Sequence, residues 1–83
     1  MKIIKEDKSL YMDIRINGYF IASIAGVETI ELKDKMLIYT NTKNGNLNFI
    51  HNVKEIITHI ETNHYIHYFI ILDENTIRYI KEI

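Results

Sequence analysis

The stretch HNVKEIITHIETN, residues 51–63, most constrains the fold expected of this chain. Its apolar residues Val53, Ile56, Ile57 and Ile60 fall at i, i+3, i+4 and i+7, the spacing of one stripe on a helix of 3.6 residues per turn. Lys54, Glu55, Thr58, His59 and Glu61 fill the complementary, water-facing side. Asn52 stands where an N-cap belongs, and Glu55 three residues on completes a capping box. Asn63 supplies a stop, because asparagine tolerates the left-handed conformation that ends helices. A helix of about three turns does not persist alone in water. The pattern therefore predicts an amphipathic helix over about 53–63 lying on a sheet.

The rest of the chain reads as strands. Residues 1–5 predict a short first strand. Leu10, Met12, Ile14 and Ile16 then alternate with Tyr11, Asp13 and Arg15, the period of a half-buried strand. Asn17-Gly18 follows, a strong hairpin signal because a type I′ turn needs φ > 0 at both central positions. The return strand, 19–25, is expected to set Tyr19 and Ile21 beside Ile16 and Ile14, with Gly26 breaking it. A second hairpin, 27–33 with 36–42, turns at Asp34-Lys35 and places Ile30, Leu32, Leu37 and Tyr39 on one face. Asn44-Gly45 marks a third turn into 46–50, within a polar stretch expected at a sheet edge. Tyr65-Ile66-His67-Tyr68-Phe69-Ile70-Ile71-Leu72 is apolar or aromatic on both faces and reads as a central strand. A last strand is expected at 76–83, after a turn at 73–75. The resulting fold class is α+β, mainly β: antiparallel strands and hairpins, one helix, and a C-terminal β-hairpin.

With 83 residues, a single small domain with a thin core is expected. A second copy or a partner would add materially to that core. The chain has no cysteine, so disulfides and thiolate metal sites are excluded. No run reaches the ~20 apolar residues of a membrane helix. The opening MKIIKEDKSLYMD lacks the apolar core and cleavage site of a signal peptide. A cytoplasmic address is expected. The formal net charge of −1, with both signs interspersed, argues against strong non-specific binding to nucleic acid. Abundant Ile, Lys, Asn and Tyr suggest a low-GC genome.

Candidate chemistry is sparse. His51, His59, His64 and His67 lie close in sequence, but His59 falls on the polar flank of the expected helix, in reach of Glu55. His64 and His67, three apart in a strand, point to opposite faces. No metal and no cofactor are expected. The acids Glu28, Glu31, Asp34, Asp73 and Glu74 fall in turns and on edges. Neither Ser9 nor Ser23 sits in a nucleophile elbow, and two of the three glycines belong to hairpin turns, which leaves no phosphate loop. No enzymatic activity is expected. Tyr11, Asp13 and Arg15 share the less apolar face of their strand and form the best candidate binding trio, since tyrosine is enriched at interface hot spots. Lys33, Lys35 and Lys43 form a candidate basic patch.

From Gly26 onward, GVETIEL, a hairpin, LIYTNTKNGNLNF and then VKEIITHI resemble the LytTR-type DNA-binding domain of bacterial response regulators. The likeness spans at most residues 26–83. Val27, Ile30 and Glu31 match the I-x-x-I-E strand opening, and His67 the histidine of the HRS-like strand, with Ile77 ten residues later. The resemblance implies a short helix at VKEIITHI and DNA contacts from loops at 34–35 and 43–44, near His67. The sequence departs from the family where Tyr68-Phe69 replaces Arg-Ser and Asp73 replaces Asn. The family's final DNA-contacting hairpin also has no counterpart here. The function expected first is a small regulator or inhibitor binding a larger protein or a second copy of itself, of the kind phages and mobile elements encode. The alternative is a LytTR-like nucleic-acid-binding transcriptional regulator.

Overall fold

The computed structural model describes residues 2–4, 7–41 and 45–73. It is all-β: seven strands form one mixed sheet, and no helix occurs among the described residues. The strands are β1 (Lys2–Ile4), β2 (Ser9–Ile16), β3 (Tyr19–Lys33), β4 (Met36–Asn41), β5 (Leu47–Ile50), β6 (Val53–Glu61) and β7 (Tyr65–Leu72). They lie in the order β5-β4-β3-β2-β7-β6, with β1 paired to β3 beyond the end of β2.

The expected helix is strand β6, which corrects the α+β assignment to all-β. Five of its nine residues (Val53, Ile56, Ile57, Thr58 and Ile60) are β-branched, a composition that disfavours helix and suits a pleated surface. Its helical spacing has a different origin. Irregularities between Val53 and Glu55 and between Thr58 and Ile60 each insert an extra residue opposite β7. Val53 and Ile56 therefore pair with Leu72 and Ile70 on the core side. Ile57 and Ile60 pair with Phe69 and His67 on the other side, where they are 41% and 39% exposed. The single stripe becomes two half-stripes on opposite faces. Asn52 caps nothing: it stands at φ 62° in the tight link between β5 and β6. The short helix implied by the LytTR resemblance falls on the same strand.

The first hairpin turns at Asn17 (φ 49°) and Gly18 (φ 80°), the positive pair a type I′ turn demands. An irregularity between Ile14 and Arg15 then sets Ala22, not Ile21, opposite Ile14. Ile21 and Tyr19 are both exposed, against expectation. Gly26 (φ 65°) lies within a continuous β3, between register shifts on its two sides, and does not break the strand. The hairpin at Asp34-Lys35 and the edge position of β5 agree with expectation, whereas β7, expected as a central strand, lies next to edge strand β6 with only one face buried. The strand expected at 76–83 lies outside the described residues, so the C-terminal hairpin does too.

β5 and β6 occupy opposite ends of the strand order, yet only His51 and Asn52 separate them in the chain. The sheet must therefore curl until those ends meet. A bond from Val53 N to Lys35 O (2.8 Å) fastens this end, and Asp73 N donates to Asn52 O (2.8 Å). The inner side of the roll holds Leu10, Met12, Ile14, Ile16, Val27, Ile30, Leu37, Val53, Tyr68, Ile70 and Leu72 as one cluster.

Replacing Thr58 by Ala separates the two readings of 53–61. Thr58 falls on the water-facing side of the expected helix, and Ala is the best helix former, so a helix would gain stability. In strand β6 the exchange should cost up to about 1 kcal/mol, read by chemical denaturation.

Candidate functional site

The outer face of β2 and β7 carries the polar groups that the core excludes. Parallel pairing of these strands sets Tyr11 beside His67, Asp13 beside Phe69 and Arg15 beside Ile71. On the other side of β2, antiparallel β3 sets Ser23 beside Asp13 and Phe20 beside Arg15. The trio Tyr11, Asp13 and Arg15 thus lies on one face as expected, but it is not an exposed trio. Asp13 is only 8% exposed and Arg15 is half-buried, while Tyr11 remains open to solvent.

Asp13 is the hub. Ser23 Oγ donates to its Oδ1 at 2.5 Å, and His67 Nε2 lies 3.1 Å from the same oxygen. The histidine is within ion-pair distance but lacks hydrogen-bond alignment, for its buried Nε2 has no hydrogen-bond partner. Arg15 Nη2 stands 3.8 Å from Oδ2. The Ser23 hydrogen bond is the largest influence on the Asp13 carboxyl, and its pull outweighs the opposing effect of burial. With His67 and Arg15 adding to that pull, the pKa falls below the ordinary carboxylate value.

Around the hub runs an aromatic and cationic ladder across four strands. The Arg15 guanidinium carbon lies 4.5 Å from the Phe69 ring centroid and 6.0 Å from that of Phe20. His59 stacks on Phe69 with centroids 4.1 Å apart and meets the His67 ring edge-on at 5.7 Å. Tyr11 packs edge-to-face on Tyr65 at 5.8 Å. His59 therefore joins an aromatic cluster, correcting its expected place on a helix flank beside Glu55.

Ser23, Asp13 and His67 occur together, but the carboxylate sits between the hydroxyl and the imidazole. A nucleophilic triad needs the imidazole in the middle, taking the hydroxyl proton. No group of three or more metal-ligating side chains occurs among the described residues. Among the described residues no helix is long and apolar enough to cross a membrane.

Of the lysine patch, Lys33 ends β3, Lys35 lies in the β3–β4 turn, and Lys43 lies outside the described residues. Lys33 stands 3.6 Å from Glu31 and Lys35 3.5 Å from Asp73, so each charge has a carboxylate beside it. Sequence reasoning did not place Phe20 or Phe69 at a site, and it weighed Ser23, His59 and His67 only for other roles. They converge only through the β2–β7 register and the strand state of 53–61, for which the β-branched content of that segment was the available signal. No family model, curated protein or solved structure matches this chain.

Asp13→Asn should lower stability by about 1–2 kcal/mol near neutral pH. Because the folded-state pKa is depressed, ionised Asp13 contributes its full stability above the unfolded value. That contribution is lost as pH falls through the folded value. The gap between wild type and Asp13→Asn should accordingly close below about pH 4. A gap unchanged into that acid range contradicts the assignment.

Proposed function

We propose that the chain is a non-enzymatic protein-binding module, a small cytoplasmic regulator or inhibitor whose contact surface is the outer face of β2 and β7. The observation that carries this reading is the composition of that face. Open Phe20 and Tyr11, with Ile57 and Ile60 on the neighbouring edge strand, surround half-buried Arg15 and His67. Aromatic residues and arginine dominate interface hot spots, and exposed apolar side chains gathered on one surface mark interaction sites. Asp13 and the ring ladder hold these groups in place before a partner arrives, which reduces the entropy lost on binding.

The LytTR-like reading rests on Lys33, Lys35 and Lys43 with His67 nearby, and of these lysines Lys33 and Lys35 are largely exposed. Glu31 and Asp73 offset those charges, and a weakly basic turn is a poor match for a phosphate backbone. Protein binding is therefore the favoured function.

The test is affinity capture with tagged protein from a low-GC bacterial lysate, with and without nuclease. Wild type should retain one protein at fixed ratio under both conditions, and Phe20→Asp and Tyr11→Ala should lose it while keeping their folded spectra. Capture of DNA that disappears with nuclease, unaffected by these substitutions, would overturn the proposal.

A further inference from the structure

We infer that Arg15 is a receptor for a carboxylate side chain of the protein partner, an inference that rests on the binding-module reading and specifies its chemistry. The guanidinium carries five N–H donors and no acceptor. Its hydrogen bonding within the fold is slight. Nη1 reaches Gly18 O at 3.4 Å, close to the limit of a hydrogen bond, and Nε is buried without a partner. Nη2 stands 3.8 Å from Asp13 Oδ2, an ion-pair distance too long for a hydrogen bond. Asp13 takes its hydrogen bond from Ser23, and the His67 ring lies closer to it than Arg15 does.

Phe69, with Phe20 farther off, lies against the guanidinium and helps to hold it along the face. A planar guanidinium held in this way loses little freedom when it accepts a carboxylate, and its fork geometry favours one. The Arg15 side chain is 30% exposed, and Phe20 beside it is 56% exposed. An incoming acidic residue with apolar neighbours would cover Phe20 and exclude water from the new ion pair, which strengthens it. Asp13 repels a second anion at this distance, a cost that the paired bonds of the guanidinium fork to the incoming carboxylate must exceed. The complementary ligand is therefore an acidic side chain set between aromatic or aliphatic ones.

The experiment is an NMR titration of the full isotope-labelled chain, following the Arg15 Nε–Hε and Phe20 signals. The probes are the capped peptide Ala-Phe-Glu-Phe-Ala, its Gln analogue and a short oligothymidylate. The Glu peptide should move both signals and bind about tenfold or more tightly than the Gln analogue. Arg15→Lys, which keeps the charge but not the fork, should reduce that preference while the spectrum stays dispersed. Equal binding of the two peptides at Phe20 would overturn the carboxylate receptor and leave the binding module standing. A shift of Arg15 by the oligothymidylate alone would overturn both. No shift from any probe would overturn the receptor, and lysate capture then decides the module reading separately.

Discussion

The structure depends on the parallel pairing of β2 with β7. Seven consecutive residue pairs, from Ser9 with Tyr65 to Arg15 with Ile71, join segments separated by most of the described chain. Everything between them, four strands in all, must leave β2 on one side and return beyond β7 on the other. A sheet that starts and finishes this way can bury its apolar side only by curling. The two-residue link between β5 and β6 completes the same geometric demand. One register thus creates the core from Met12 and Tyr68 and, on the opposite side, the cluster from Asp13, Phe69 and His67.

That division explains why a carboxylate is buried on the face that does not form the core. β2 alternates strictly between aliphatic and polar residues, so a shift of one position would drive Asp13, Tyr11 and Arg15 into the apolar interior. The penalty for burying Asp13 is met by a hydroxyl on one neighbouring strand and an imidazole on the other. Those partners exist only if β3 and β7 both lie in register with β2. The cluster therefore reports the correct assembly of three strands, and it holds in place the rings proposed to meet a partner.

Much of this was legible from local pattern. The Asn17-Gly18 turn, the alternation along β2 and the shared face of Tyr11, Asp13 and Arg15 each follow from a few adjacent residues. What was not legible came from bulges and long-range register. In β6 two inserted residues turn a period-two strand into an apparent 3.6-residue period, and an apt Asn52 and Glu55 complete the imitation of a capped helix. In β3 the same device exchanges Ile21 for Ala22 opposite Ile14. The parallel pairing joins distant segments with no turn to announce it, so the meeting of Asp13 with His67 and Phe69 has no local signature.

The central claim is that segment 53–61 is a strand beside β7 and that β7 is parallel to β2. Backbone NMR of the full chain tests both parts together, through carbon secondary shifts over 53–61 and interstrand proton contacts across Asp13–Phe69 and Ile57–Phe69. The account predicts extended shifts throughout the segment and both sets of contacts. Helical shifts over 53–61, with no contact between Asp13 and Phe69, would contradict it.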